Sequence, residues 1–213
     1  MHSELLIVAG PDRAPRIEAT GALAARRTDP HTVHLVSAAA TPLGGDTTRV
    51  RIVVEAGARL RVRSVAAAVV LPGAATAESR SCWDIRVAGE LDLDPEPTVV
   101  AAAARHLSST RVRLTATARV RLRERVQIGR SGEGQGFWSG ALHADVDGAP
   151  LLRHRLEFGA GAVADDVLGA PRACVSELRY PETDCREPEF PSGGVVLALA
   201  GGGCLATWQG ARL

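Results

Sequence analysis

Hydrophobic and polar residues alternate along the most regular stretch of this chain. From 111 to 123 the even-numbered positions are apolar and the odd-numbered positions are Arg or Thr. Because successive side chains of a strand point to opposite faces, this period of two predicts a half-buried strand or a pair of hairpin strands. The spacing of a helix, 3.6 residues per turn, does not fit the run.

The same alternation returns in shorter runs that are separated by turn sequences. These runs cover residues 49–55, 59–64, 83–87 and 152–158. The turn sequences between them are Gly44-Gly45-Asp46, Ala56-Gly57, Pro72-Gly73, Ala88-Gly89 and Asp147-Gly148. Many short strands with regularly spaced turns predict a mainly β protein.

A weak repeat suggests how the strands are arranged. Ala56-Gly57 and Ala88-Gly89 each end an alternating run, and they lie roughly 30 residues apart, a period compatible with a solenoid. We therefore predict a solenoid-like, β-helical stack of short strands, with an ordinary β-sandwich as the alternative. We also predict about two short helices, at 98–106 and 161–169, an extended linker at 94–97, and a single domain over 1–213.

Composition and charge remove several classes of function. The net charge is +1 and aromatic residues make up 3% of the chain, so neither a basic field nor stacking platforms for nucleic acid are expected. All 25 basic residues are Arg. Without Lys there is no phosphate-loop lysine, no Schiff base and no lysine general base.

The cysteines and the apolar segments bear on the compartment. Cys82, Cys174, Cys185 and Cys204 form no C-x-x-C pair, and at this length a core forms without disulfides. We expect reduced thiols. No segment approaches the ~20 apolar residues that span a bilayer, and the N-terminus lacks the pattern of a secretory signal. These observations predict a soluble, cytoplasmic protein that does not bind membranes.

Two pairs of histidines are candidates for metal binding. His31 and His34 are three residues apart, which on a strand places them on opposite faces and favours a surface or loop role. His143 and His154 flank the Asp147-Gly148 turn and could be cross-strand neighbours that hold a transition metal. A structural role for either histidine of this second pair is the more common alternative.

The residues alone do not assemble an enzyme. Ser139 lies outside any G-x-S-x-G motif, and no triad partner is near it in the sequence. Asp46, Glu124 and Glu133 are carboxylates at a turn, in a basic strand and in a Gly-rich loop, where turn or ion-pair roles are common. A hydrolase on a β scaffold is therefore the weaker hypothesis, and a protein-binding β protein is the stronger one.

Three segments, in this order and spacing, resemble the urease accessory protein D family (UreD, called UreH in some organisms). The first is 35–46, ending in Gly-Gly-Asp, which is followed by 55–60, with Gly-Ala-Arg-Leu, and by the Ala-rich 64–69. The second is 89–100, and the third is 123–133, which is followed by 147–152. The resemblance covers roughly residues 4 to 160 well and the remainder loosely.

The resemblance implies a role in assembly rather than in catalysis. It implies a β-solenoid that binds apo-urease and accessory protein F, which in turn holds the nickel-carrying GTPase, accessory protein G. Together these proteins would deliver nickel to the urease active site. The nucleotide chemistry would then lie on the GTPase, in agreement with the absence of Lys.

The resemblance also implies an internal, water-filled route for nickel that is lined partly by acidic side chains. By motif position, Asp46, Glu124 and Glu133 are the candidates for transient contact with Ni²⁺, and no tightly bound cofactor is expected. Carboxylates and water suit such contact better than a closed His/Cys cage. A free-standing nickel metallochaperone or storage protein is the alternative function.

Overall fold

The computed structural model describes residues 1–163, 170–182, 185 and 193–213, which form seventeen strands in two main sheets. The first sheet contains β1 (His2–Ala9), β2 (Arg16–Thr20), β5 (Thr47–Val54), β8 (Glu78–Val87), β11 (Arg105–Leu114), β13 (Phe137–Val146) and β14 (Ala149–Gly159). The described residues form no helix, and so none that could cross a membrane.

The second sheet faces the first, and a short third ladder closes the remaining side. The second sheet contains β3 (Leu23–Asp29), β4 (Thr32–Ser37), β6 (Arg59–Ser64), β9 (Glu90–Leu93), β12 (Arg119–Ile128), β15 (Ala173–Tyr180), β16 (Val195–Ala198) and β17 (Cys204–Gly210). The third ladder contains β7 (Ala68–Val70) and β10 (Thr98–Val100), which pair with each other and, through β10, with β12.

Parallel pairing between successive coils makes the molecule a β-solenoid. In the first sheet Arg49 pairs with Cys82, Cys82 with Ser109, and Ser109 with Ala141. Each step of this column is roughly 30 residues, the length of one coil of a solenoid. The predicted mainly β, solenoid-like stack is therefore confirmed.

Antiparallel strands cover both ends of the stack. At the first end β2 pairs with β1, and β3 pairs with β4. At the other end β14 pairs with β13, and β15, β17 and β16 continue the second sheet. The turn into β14 has positive φ at both Asp147 (47°) and Gly148 (82°), the backbone that a two-residue Asp-Gly hairpin requires.

The core lies between the two sheets and is built from stacked rows of inward side chains. One row, Ile52, Ile85, Val112 and Ala144, crosses four coils of the first sheet and is completely buried. Each large apolar side chain removed from water contributes about 1.5–3 kcal/mol to folding. The alternation along each strand is therefore what directs one face to the core and the Arg-rich face to solvent.

The longest alternating run is neither one strand nor a hairpin, which corrects that prediction. It spans the end of β11 and the start of β12, and these strands belong to different sheets. The alternation continues through the corner because Ala118 points inward and is completely buried. A period of two therefore does not reveal where a solenoid coil bends.

The predicted helix at 98–106 is also wrong. Its Thr-Val-Val start forms β10, as suits β-branched residues, and the Ala-rich part forms a corner in which Ala103 has φ of 62°. Of the second predicted helix, 161–163 are not helical and 164–169 lie outside the described residues. The predicted linker at 94–97 contains no strand.

Candidate functional site

A cavity of about 260 Å³ lies between the two sheets and the third ladder. Its walls are inward side chains of β4, β5, β8, β11 and β12. Exposed residues of the corner that joins β6 to β7, including Val65, Ala66 and Ala67, also line it. The cavity therefore opens to solvent at this corner.

Three hydroxyl side chains form a row along one wall of the cavity. Thr48 pairs with Ser81, and Ser81 pairs with Ser108, so the three residues occupy the same position on consecutive parallel strands. Neighbouring strands lie about 4.8 Å apart, which spaces the hydroxyls along the solenoid axis. The row offers oxygen atoms at regular intervals across three coils.

Glu124 faces this row from β12 in the opposite sheet. The Ser108 hydroxyl donates a hydrogen bond of 3.2 Å to Glu124 Oε1. Within the described part of the chain no Arg or His forms an ion pair with this carboxylate. Burial therefore raises the pKa of Glu124 to about 7, and the bond from Ser108 opposes the rise. A proton or a cation could neutralise Glu124 in the cavity.

A buried histidine lies beside the hydroxyl row. His106 Nδ1 is 2.9 Å from Ser79 Oγ, and its Nε2 is 3.1 Å from Ser81 Oγ. Burial lowers the pKa of His106 to about 4, so the ring is neutral at pH 7. The hydroxyls hold the ring in place, and the neutral ring keeps Ser81 oriented in the row.

A tryptophan closes the cavity at the fourth coil. The position next in the row after Ser108 is Gly140, and a Cβ there would lie 2.1 Å from the Trp138 ring. The indole thus occupies the space where another hydroxyl would stand, and its ring centroid is 5.3 Å from that of Phe158. The hydroxyl row therefore ends against an aromatic pair.

Asp46 lies at the turn before β5 and is fixed by protein donors. Its Oδ2 accepts hydrogen bonds from the Thr41 hydroxyl (2.9 Å) and the Leu43 amide (2.8 Å), and its Oδ1 contacts the Met1 ammonium (2.5 Å). Burial alone would raise the pKa of Asp46, but these donors together hold it below its ordinary value. Both oxygens of this predicted route residue are engaged.

Glu133 lies in the Gly-rich loop between β12 and β13 and is engaged in the same way. It accepts hydrogen bonds from Arg130 Nε (2.7 Å), from the Arg130 amide (3.1 Å) and from the Ala102 amide (3.3 Å). The bond from the Arg130 guanidinium lowers the pKa of Glu133 to about 2. Of the three predicted route residues, only Glu124 lines the cavity.

The predicted histidine pair across the hairpin does not share a face. His143 pairs with Arg153 and His154 pairs with Leu142, so the two rings project to opposite sides of the sheet. His34 Nδ1 contacts the Thr28 hydroxyl at 2.8 Å, consistent with the predicted surface role. The described residues contain no group of three or more His, Cys, Asp or Glu side chains that could hold a metal ion.

The cysteines divide into a bonded pair and two free thiols. Cys185 and Cys204 form a disulfide with a Cα separation of 5.7 Å. The expectation of reduced thiols is wrong for this pair. Cys82 is exposed and Cys174 is buried, and burial, with the nearby Glu124 carboxyl, raises the pKa of the Cys174 thiol.

The sequence pattern does not reveal the hydroxyl row or the role of His106. Thr48, Ser81 and Ser108 are individually unremarkable residues of alternating strands. Their one signal is that each stands at the same position of consecutive coils, which can be read only after the length of a coil is known. The predicted helix at 98–106 includes His106, and a helix there does not bring the ring to its partners Ser79 and Ser81 on β8.

Comparison with known proteins identifies the family. Residues 10–180 match the family model described as "UreD urease accessory protein". The chain belongs to the UreD family. This assignment agrees with the resemblance carried by the Gly-Gly-Asp turn and the segments that follow it.

Individual relatives support the same assignment. The chain is 40% identical over 185 residues to "Urease accessory protein UreD 1" of Saccharopolyspora erythraea, covering 84% of this chain and 71% of that protein. It is 42% identical over 185 residues to "Urease accessory protein UreD" of Frankia casuarinae, covering 80% and 58%. The corresponding protein of Streptomyces coelicolor is 36% identical over 209 residues, covering 91% and 82%. This UreD-family chain thus spans between 58% and 82% of the length of these relatives.

Proposed function

We propose that this chain is a scaffold for urease maturation. It binds apo-urease and accessory protein F, and through protein F it works with the accessory GTPase, protein G, to deliver nickel into the urease active site. The observation that carries the proposal is membership of a family of urease accessory proteins. The role is that of a chaperone in a protein complex in the cytoplasm, and the chain itself is not an enzyme.

The internal cavity supports a second part of the proposal, that nickel passes through this chain as cargo. Glu124 and the hydroxyl row offer oxygen ligands on facing walls. Oxygen ligands hold Ni²⁺ less tightly than a His/Cys cage does, so an ion that enters can also leave. A cation beside Glu124 also offsets the cost of keeping an ionised carboxylate away from water.

Asp46 and Glu133 stay in the proposal as secondary route residues. Each would have to give up hydrogen bonds from protein donors before it could bind an ion. We therefore propose an order of importance in which Glu124 comes first. No tightly bound cofactor belongs to this function.

Co-expression tests the scaffold role. The urease structural subunits and accessory proteins F and G are expressed with and without this chain, and complexes are isolated through an affinity tag on it. We expect a complex that contains apo-urease and protein F, and urease activity that depends on this chain. Recovery of full activity without the chain, together with the absence of a complex, would contradict the proposal.

Three matched variants test the nickel route. In cells grown at limiting nickel, Glu124→Gln should lower urease activation about tenfold or more, because the amide does not neutralise a divalent cation. Asp46→Asn and Glu133→Gln should have smaller effects. Pull-downs should show intact complexes for all three. Full activation by all three variants would show that the route assignment is wrong.

Equilibrium dialysis against Ni²⁺ separates the proposal from its alternative. A conduit binds nickel weakly, whereas a free-standing metallochaperone or storage protein binds it tightly and in a fixed ratio. Tight stoichiometric binding by the isolated chain would favour storage.

A further inference from the structure

Most of the polar atoms that line the cavity are oxygens. They belong to the hydroxyl row and to the carboxylate of Glu124. Hydroxyl and carboxylate oxygens suit Mg²⁺, Ca²⁺ and Mn²⁺, whereas an imidazole nitrogen suits Ni²⁺, Zn²⁺ and Cu²⁺. Oxygen atoms alone therefore give the cavity no means of preferring nickel to magnesium.

The His106 ring supplies a metal-binding nitrogen that the rest of the described lining lacks. The other lining residues with side-chain nitrogen are Trp83, Arg123, Arg125 and Trp138. Guanidinium and indole groups donate hydrogen bonds and offer no free lone pair to a metal ion. Within the described residues the lining also contains no cysteine or methionine. Any preference of the cavity for transition-metal ions therefore depends on this one imidazole.

A buried hydroxyl on the side away from the cavity orients the ring. Ser79 is completely buried and does not line the cavity. Its hydroxyl donates to the carbonyl of Arg105 at 3.5 Å, so its oxygen is free to accept the proton of His106 Nδ1 at 2.9 Å. Histidines that bind metal ions are held in this way, with the second ring nitrogen donating to a fixed acceptor. The arrangement leaves the lone pair on Nε2.

The Nε2 atom of His106 faces the cavity beside a hydroxyl of the row. Ser81, whose Oγ is 3.1 Å from Nε2, lines the cavity. Its hydroxyl donates to Nε2, and rotation about the C–O bond frees the lone pair without moving a heavy atom. Two adjacent ligands of an octahedral ion, each about 2.1 Å from it, lie about 3 Å apart. The Nε2–Oγ pair has this separation, as does the pair of Ser108 Oγ and Glu124 Oε1 at 3.2 Å.

We propose that His106 is the specificity-determining residue of the cavity, where its Nε2 contacts the passing ion and makes the cavity select transition-metal ions, Ni²⁺ among them, over Mg²⁺ and Ca²⁺. The proposal rests on the proposed function, because that function brings the ion into the cavity. A single imidazole among oxygens selects the ion without enclosing it as a His/Cys cage does, so the ion is still released. Ser79 is a positioning residue that acts through the ring.

Four variants separate the imidazole from the rest of the site. His106→Asn keeps an amide near Ser79 and removes the atom at the Nε2 position, whereas His106→Gln places an amide group at that position. Glu124→Gln defines the cavity component, which is the part of Ni²⁺ binding that this variant loses. His34→Gln is the matched control, because it removes an imidazole that bonds to the Thr28 hydroxyl outside the cavity. All proteins are purified without a histidine tag.

Equilibrium dialysis against Ni²⁺, with and without excess Mg²⁺, measures the selectivity. We expect the ratio of Ni²⁺ affinity to Mg²⁺ affinity of the cavity component to fall about tenfold or more in His106→Asn and His106→Gln. The ratio should be unchanged in His34→Gln. An amide in place of the imidazole leaves oxygen ligands only, and these do not favour nickel.

X-ray absorption at the nickel edge gives a readout that a merely structural role would not change. The spectrum of the wild type, less that of Glu124→Gln, should contain the scattering of one imidazole ring. This signal should be absent from His106→Asn and present in His34→Gln. Circular dichroism and thermal unfolding show whether each variant is folded. If both His106 variants are misfolded, the wild-type spectrum and Ser79→Ala decide, and Ser79→Ala should weaken Ni²⁺ binding in the cavity about tenfold.

Two other outcomes overturn the inference in distinguishable ways. A cavity component without the imidazole signal, or with the same affinity ratio in both His106 variants as in the wild type, would show that His106 is only structural, and the route through Glu124 would stand. If the wild type and Glu124→Gln bind Ni²⁺ equally, the nickel route fails and the role of His106 fails with it. The co-expression experiment still tests the scaffold role in either case.

Discussion

Two carboxylates on neighbouring strands of one sheet lie in opposite environments. Glu177, on the outer face of β15, has no exposed side-chain surface and lies 3.0 Å from Arg121, 3.5 Å from Arg123 and 2.5 Å from Arg179. Glu124, on the inner face of β12, accepts a hydrogen bond from the Ser108 hydroxyl. One acid is surrounded by cations, and the other faces a cavity.

The difference separates an acid that stabilises the fold from an acid that has no cation partner among the described residues. Glu177 and its three Arg partners hold strands β12 and β15 together across the sheet. Because the three Arg side chains already neutralise this carboxylate, we do not expect it to bind a further cation. Beyond the hydrogen bond from Ser108, Glu124 is left to a proton, a cation or water that enters the cavity for stabilisation. The basic outer face of β12 therefore serves the fold, and Glu124, on the inner face of that strand, stays the first candidate for the proposed nickel route.

The largest expected effect comes from removing the outer acid. Glu177→Ala leaves three Arg side chains, each less than a third exposed, without their shared carboxylate, and we expect a loss of about 3–5 kcal/mol in the free energy of unfolding. The control is Glu90→Ala on the same outer face, where Glu90 is 45% exposed and paired with Arg59, with an expected loss of about 0–1 kcal/mol. Urea unfolding measures the loss for each variant. Equal losses for Glu177→Ala and Glu90→Ala would show that Glu177 contributes no more to stability than an exposed ion pair does.

Replacing the inner acid, Glu124, should have a smaller effect on the free energy of unfolding, and this effect should be stabilising. The folded protein holds the Glu124 proton more tightly than the unfolded chain does, because the pKa is raised from 4.5 to about 7. The free energy of unfolding of the wild type should therefore fall as pH rises through this window. Glu124→Gln carries no such proton, so it should become more stable than the wild type by on the order of 2–3 kcal/mol at pH 8, and much less so at pH 5.

His106 also affects the free energy of unfolding in part of this pH range. The comparison of the wild type with Glu124→Gln removes the contribution of His106. Its pKa is lowered to about 4, so it destabilises the folded state as pH falls below 6.5. This effect is common to the wild type and Glu124→Gln and cancels in their difference. If the difference in free energy of unfolding between the wild type and Glu124→Gln stays constant from pH 5 to pH 8, Glu124 is hydrated or ionised over the whole range.

The smallest effect concerns the hydroxyl that connects the two sheets. Ser108→Ala removes the hydrogen bond to Glu124 and should cost about 1 kcal/mol. Because that bond lowers the pKa of Glu124 in the folded protein, the pH-dependent loss of stability should extend to higher pH in the variant. Ser109→Ala, on the exposed face of the same strand, is the control, and urea unfolding at several pH values should show no such shift for it.

The sequence predicted the strands better than their connections. Alternation at 49–55 and 59–64 located β5 and β6 to within a few residues, because one face of each strand is buried and the other is solvated. It could not locate the bend near Ala118, where the alternation continues although the chain passes from one sheet to the other. The helix at 98–106 failed because Ala has a high helix propensity, whereas pairing with β7 and β12 decides the conformation.

The candidate site was predictable only in part. The motif resemblance singled out Glu124 together with Asp46 and Glu133, and the sequence could not distinguish among them. The distinction depends on donors that come from distant or unremarkable residues, such as the Leu43 amide for Asp46 and the Ala102 amide for Glu133. Backbone donors carry no signature in the identity of a residue, so only the folded geometry identifies the acid that faces the cavity.

The column of Arg49, Cys82, Ser109 and Ala141 also has a consequence for how the protein folds. Consecutive parallel strands cannot pair until the roughly 30 residues between them have closed into a coil, so sheet formation carries a loop-closure entropy at every step. We expect slow folding, during which the last strand added presents an open edge to other chains. The antiparallel strands at the far end, β14 and β15 to β17, cover this edge, so the protein is most prone to aggregation before they pair.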